Sequence, residues 1–181
     1  MKELSLYILD ITMNSVKAGA QNIAVTIDET DNVLTFTVED DGCGMTAEQL
    51  EKLADPFFTT RTTRNVGLGV PFLRMLAEQT GGEVEITSRS EKEYADHGTT
   101  LRATFHEDSI DFIPLGDIAS TVVTLIQGSP DINFSFSHQK EGMTVALRVT
   151  ELREILGDVP LSEPEVLSWI SGYLSEQYEQ I

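Results

Sequence analysis

Apolar side chains recur at Leu4, Tyr7, Ile8 and Ile11, the spacing of one helix face, and predict a helix over residues 3–18. Within it Asp10, Asn14 and Lys17 form a narrow polar stripe, while Leu6, Leu9, Met13 and Val16 make most of the remaining circumference apolar. Such a helix is expected to be buried with its stripe facing a cavity or ligand; the alternative is an ordinary amphipathic helix with a solvated edge. Gly19 ends it. Two alternating runs follow, Ile23, Val25, Ile27 and Leu34, Phe36, Val38, with turn formers from Asp28 to Asn32 between them, which is the pattern of a hairpin. Thr46 reads as the N-cap of a helix over 47–54, and a second helix runs from Pro71 to about Gln79, closed by Gly81-Gly82. Strands are expected at 84–87 and 100–105, joined by a charged loop over 89–98. Residues 55–69 show no periodicity, which in a compact domain marks a functional or mobile stretch.

After His106 the pattern changes to an acidic linker, a helix at 115–127, strands at 132–137 and 143–149, a short helix from 150 and a helix over 163–178. This divides the chain into residues 1–106 and a small α/β extension over 107–181.

At 181 residues and 40% apolar content the chain has enough material for a packed core. Its 12 basic and 30 acidic side chains give a net charge of −18, a field that repels phosphate backbones and anionic headgroups. Nucleic acid and membrane surfaces are therefore not expected partners. No apolar run reaches the roughly 18–20 residues of a membrane helix, and the first residues lack a basic segment feeding an apolar core. Cys43 is alone, so no internal disulfide forms and a reducing cytoplasm is the expected setting. The charge is uneven: residues 1–106 hold nine basic against 17 acidic side chains, and the remainder three against 13. Residues 56–77 contain no acid but hold Arg61, Arg64 and Arg74, either an anion site or a chance cluster on a solvated face.

Five short pieces carry the candidate chemistry. They are the segment 8–20 with its stripe, Asp40-Asp41-Gly42-Cys43-Gly44, Asp55-Pro56-Phe57-Phe58-Thr59-Thr60-Arg61, Gly67-Leu68-Gly69, and Gly98-Thr99-Thr100. In content and order they resemble the N box, first glycine box, F box, second glycine box and last box of the GHKL ATPases, the family of sensor histidine kinases, type II topoisomerases, Hsp90 and mismatch-repair ATPases. The resemblance covers about residues 1–106. It implies the Bergerat fold, an α+β two-layer sandwich whose mixed, mostly antiparallel sheet is covered by helices on one face, with residues 55–70 as a mobile lid over ATP.

It also implies roles for single residues. Asn14 would ligate Mg²⁺ through its carbonyl oxygen, the kind of ligand a hard cation prefers. Asp40 would accept from the adenine amino group, a donor that guanine lacks there. Gly42 and Gly44 would let the backbone approach the base, and Gly67, Leu68 and Gly69 would hold phosphate at a helix N-terminus. Lys17 and Arg61 would neutralise phosphate oxygens, and Thr99 or Thr100 would close the base pocket. Asp10 stands where the hydrolysing members carry a glutamate; it reads as a general base, as a residue in the outer sphere of the metal, or as a partner of Lys17.

His97, His106 and His138 read as surface or packing residues. The phospho-accepting helical hairpin of sensor kinases is not evident. Three functions follow: a regulatory ATPase, a kinase acting on a separate protein at a histidine or a serine, and a non-hydrolysing ATP or ADP sensor or scaffold. A protein partner or substrate with a basic face is expected, and a homodimer stays among the expectations because the last helix has an apolar face.

Overall fold

The computed structural model describes residues 2–55 and 69–181. The expected lid therefore lies almost wholly outside the described residues. The elements are α1 (Leu4–Lys17), β1 (Asn22–Thr30), β2 (Val33–Asp40), α2 (Ala47–Ala54), α3 (Gly69–Gln79), β3 (Glu83–Arg89) and β4 (Gly98–His106), then α4 (Ile118–Gly128), β5 (Asn133–Lys140), β6 (Met143–Arg148), α5 (Val149–Leu156) and α6 (Pro164–Tyr178). The strands form one sheet in the order β3-β4-β2-β1-β5-β6. Every neighbouring pair is antiparallel except β1 with β5. Helices α3, α1, α4 and α6 contact one another in that order and lie along the sheet, giving the expected two-layer α+β sandwich.

Local chemistry explains the elements. The β1–β2 loop is two residues, Asp31 and Asn32, both at positive φ, and the β5–β6 loop is Glu141 and Gly142, also both positive. Paired left-handed residues twist the turn in the same sense as the strands. Thr46 caps α2 in a reciprocal capping box with Gln49. No side chain caps α1; the free amides of Leu4 and Ser5 instead donate to the carbonyls of Pro114 and Leu115, at 2.9 and 2.8 Å.

The core runs between the helix layer and the inward positions of the strands. Ile23, Val25 and Ile27, Leu34, Phe36 and Val38, Leu101, Ala103 and Phe105, and Phe134 and Phe136 are all buried, in register across the sheet. Phe36 and Phe105 stack with centroids 6.1 Å apart. The same cluster takes in Ile118, Val122, Leu125 and Ile126 of α4 and Ile170 and Leu174 of α6. The connection over 107–117, where the sequence divides in composition, is thus bridged by strand pairing, by helix capping and by shared core. No described helix is long and apolar enough to cross a membrane.

A polar cluster closes one end of the sandwich. The sequence pattern places His138 near a turn, but it occupies an inward position of β5, next in alternation after Phe134 and Phe136, and is 2% exposed. Its Nε2 lies 2.8 Å from Glu29 Oε1 and its Nδ1 2.8 Å from the Tyr178 hydroxyl. Lys140 Nζ lies 2.8 Å from Glu29 Oε2. The hydrogen bond with His138, reinforced by Lys140 against the cost of burial, brings the Glu29 pKa down to about 2. Glu107 faces the same carboxylate, and burial together with the Glu29 charge pushes its pKa up. Burial also raises the Tyr178 phenol.

Candidate functional site

At the other end of the β1–β2 hairpin a cavity of about 540 Å³ opens between α1, the sheet and the loop after β2. Helix α1 contributes Asn14, Ser15 and Lys17, which share a side of the helix and so reach the cavity together. The sheet supplies Val38, Ile86, Thr99 and Leu101, and Met45, Leu53 and Val70 add to the apolar wall. The outcome is a mostly apolar slot with a carboxylate, Asp40, at one side.

Asp40 is held from two directions. Its Oδ2 accepts from the Ser15 hydroxyl at 2.6 Å and its Oδ1 from the Gly42 amide at 2.9 Å. Both partners are neutral, and a carboxylate has about four acceptor positions, so acceptor capacity remains toward the cavity. Asp41 points away and anchors the loop. It accepts from the amides of Gln21 and Asn22 and from the Asn22 side chain at 2.7–2.9 Å. Burial opposes its ionisation, but these hydrogen bonds win and hold its pKa below the usual carboxylate value.

The loop is stitched further by Cys43 N donating to Ala18 O at 2.9 Å and Glu91 N donating to Cys43 O at 2.8 Å. Gly44 has φ +65°, and a Cβ there would stand 1.9 Å from the Arg89 carbonyl oxygen. A Cβ on Gly42 would meet the Ala18 Cβ at 2.9 Å. These glycines are required by the packing of the loop against its own chain, a reason distinct from the expected approach to a base. Ser88 links the loop to β4, accepting from Met45 N at 2.8 Å and sharing a 2.8 Å hydrogen bond with the Thr99 hydroxyl.

Of the residues expected from sequence, Asn14, Lys17, Asp40, Gly44 and Thr99 line the cavity. Gly42 lies behind it as a donor to Asp40. Thr100 pairs with Glu39 and Thr87 on the opposite face of the sheet, because successive strand residues alternate. Arg61, Gly67 and Leu68 lie outside the described residues. Gly69 opens α3, and a Cβ on it would sit 2.0 Å from Asp10 Oδ2. The Asp10 carboxylate is therefore seated against the positive end of α3. The alternative partnership with Lys17 is not formed, since seven residues of helix separate the two by about 10 Å.

Ser15 and Ser88 are not singled out by the sequence pattern. Ser15 carried a signal: it follows Leu4, Ile8 and Ile11 on the buried face, and a buried hydroxyl there needs a partner.

The Asn14 side chain has no hydrogen bond to a described residue. Its carbonyl oxygen, on the cavity wall, is the donor type that suits Mg²⁺. No group of three or more His, Cys, Asp or Glu able to hold a metal occurs among the described residues. A single carbonyl ligand of this kind would suit a cation that takes its other ligands from phosphate and water.

The chain is thus a six-stranded mixed sheet under one helix layer, with a carboxylate-edged slot between them. The same fold occurs in the Aquifex aeolicus MutL ATPase domain complexed with ADP, with a TM-score of 0.55 at 15% identity over 85% of this chain and 67% of that one. The family of histidine kinase-, DNA gyrase B- and HSP90-like ATPases matches residues 2–109, and the chain belongs to it. Among curated relatives, the sensor histidine kinase ZraS of Escherichia coli O157:H7 is 33% identical over 87 residues, 47% of this chain and 19% of that protein. Sporulation kinase E of Bacillus subtilis is 34% identical over 101 residues, 55% of this chain and 13% of that protein. A probable C4-dicarboxylate sensor kinase of B. subtilis is 27% identical over 94 residues, 52% and 17%. The chain matches less than a fifth of the length of each of these relatives.

Proposed function

We propose that the chain binds ATP in the cavity beside Asp40 and acts as a regulatory ATPase or as a kinase for a separate protein. The observation that carries this reading is the Asp40 carboxylate, fixed by Ser15 and Gly42 at the edge of an apolar slot of about 540 Å³. It presents an acceptor to the adenine amino group while Val38, Ile86 and Leu101 flank the ring. The phosphates then lie toward Asn14, Lys17 and the N-terminus of α3; the roles that the family resemblance implies for Arg61, Gly67 and Leu68, and for residues 55–70 as a lid, fall mostly outside the described residues. Asn14 would hold Mg²⁺, which would supply charge neutralisation. Thr99 closes the base end.

Asp10 is the candidate general base. Its seat against Gly69 puts a carboxylate beside the N-terminus where the terminal phosphate would rest. Similarity to sensor kinases supports the kinase form of the reading and a place in signal transduction.

Calorimetry with ADP and ATP in Mg²⁺ tests the binding; absence of heat at millimolar nucleotide would overturn it. Asp40→Asn is expected to weaken both nucleotides, because its amide turns a donor toward the adenine amino group. Labelled ATP separates the two activities: free phosphate lost in Asp10→Asn marks an ATPase, and label on a second protein marks a kinase. Neither product, with binding intact, would leave a nucleotide-dependent sensor instead.

A further inference from the structure

Helix α6 buries Val166, Leu167, Ile170 and Leu174 against the core and turns Glu165, Trp169, Gly172 and Glu176 outward. These four positions, spaced four, three and four, run in a line along one face. Trp169 is the only tryptophan in the chain and is 55% exposed. It is not a loose side chain. Its ring stacks on Tyr173 with centroids 5.4 Å apart and planes 13° apart, and the Tyr173 hydroxyl donates to the Ala146 carbonyl of β6 at 3.3 Å. The indole is thus a braced platform at the edge of the sheet.

Gly172 stands beside it. A glycine in a helix interior costs stability relative to alanine, yet a Cβ here would meet nothing within 4 Å. No part of the described chain needs the space, so the notch is open to an incoming backbone.

The charge around this platform has one sign. The 28 residues after Arg153 hold six acids and no lysine or arginine. None of the six forms an ion pair with a described residue. The three cations of residues 107–181 are already engaged: Lys140 with Glu29, Arg148 with Glu151, and Arg153 with Asn133 and the carbonyls of Pro130 and Ile132. An exposed aromatic face between unneutralised carboxylates attracts a cation both to the ring and to the acids.

We propose that the outward face of α6 docks a basic helical segment of a partner protein, crossing at Gly172 and laying an arginine or lysine on Trp169. Glu165 is one turn from Trp169 and can pair with that same cation. Glu176 is about 10 Å further along, so it takes a second cation roughly two helical turns from the first on the partner. A second copy of this chain is disfavoured as the occupant by its net charge of −18. The surface is independent of the nucleotide cavity.

The single tryptophan makes the test direct. The full chain is titrated with an alanine-rich helical peptide bearing two arginines seven residues apart, and with its glutamate counterpart, following Trp169 emission. The arginine peptide is expected to give a saturable change that weakens at least about tenfold between roughly 50 and 500 mM salt, and the acidic peptide none. Calorimetry with Glu165→Lys/Glu176→Lys is expected to show at least about a tenfold loss of affinity at unchanged thermal midpoint. A response no greater than that to free arginine, or equal binding by the double variant, would overturn the proposal. So would light scattering that finds a dimer with Trp169 shielded from quencher, which assigns the face to a second copy.

Discussion

Glu29 and Asp40 sit at opposite ends of one hairpin, on adjacent strands, both on the side that faces the helices. Glu29 is enclosed by a histidine, a lysine and, through His138, a tyrosine, so its charge is neutralised within the chain. Asp40 is held only by a hydroxyl and an amide and faces a cavity. The first arrangement consumes the carboxylate's capacity in holding β1, β5 and α6 together. The second keeps that capacity available for something not in the chain. An inward-facing carboxylate is therefore a functional candidate when its partners are neutral and few, and a structural tie when they are cationic and complete.

The comparison is broken most severely by removing the region that holds the tie. A chain ending at residue 106 loses β5, the α4 cover over α1, and the carbonyls that cap Leu4 and Ser5. It is expected to aggregate, read by size exclusion and circular dichroism; a soluble, cooperative unfolder would show that the nucleotide half is self-sufficient.

Single substitutions then separate the two carboxylates. Glu29→Ala leaves His138 and Lys140 without their anion and is expected to lower unfolding free energy by about 3–5 kcal/mol, read by urea titration, with ADP affinity of the folded fraction unchanged. Asp40→Asn is expected to do the reverse: a loss of about 10- to 100-fold in ADP affinity by calorimetry, and a thermal midpoint moved by only a few degrees. If both variants lose stability and affinity alike, the division of labour is wrong.

The smallest effect is in the pH dependence. The Glu29 pKa of about 2 lies below its reference value of 4.5, so its stabilisation is complete above about 4.5 and is lost as pH falls toward 2. Glu107 has the opposite sign: its raised pKa penalises the ionised form, so its contribution declines as pH rises through the carboxylate range. Parent and Glu29→Gln urea midpoints measured from pH 7 to pH 3 are expected to converge at the acid end. Parallel curves would remove the linkage.

Much of this arrangement was legible along the chain. The turn within Asp28 to Asn32, the N-cap at Thr46 and the alternation of β1, β2 and β4 are local patterns, and local chemistry suffices to form them. The stripe on α1 was legible too: two of its three members, Asn14 and Lys17, reach one cavity. What sequence spacing left open or misplaced has a geometric reason. Asp10 and Lys17 share a stripe but lie two turns apart. Thr99 and Thr100 are adjacent but face opposite sides of the sheet. His138 extends the alternation of Phe134 and Phe136 by one step, and ending the strand at 137 hid its burial.

By itself the sequence determined the identity and order of the elements, the candidate cavity residues on α1 and β2, and membership in a family recognisable from its glycine and asparagine motifs. Periodicity, turn chemistry and capping act over fewer than about ten residues, and all of these are written in such windows. Only the tertiary structure decided that β5 lies parallel to β1, that Glu29 meets residues more than a hundred positions away, and that Asp10 rests on Gly69. Those contacts depend on how the helix layer settles on the twisted sheet, and complementary packing of distant apolar faces has no short-range signature in the chain.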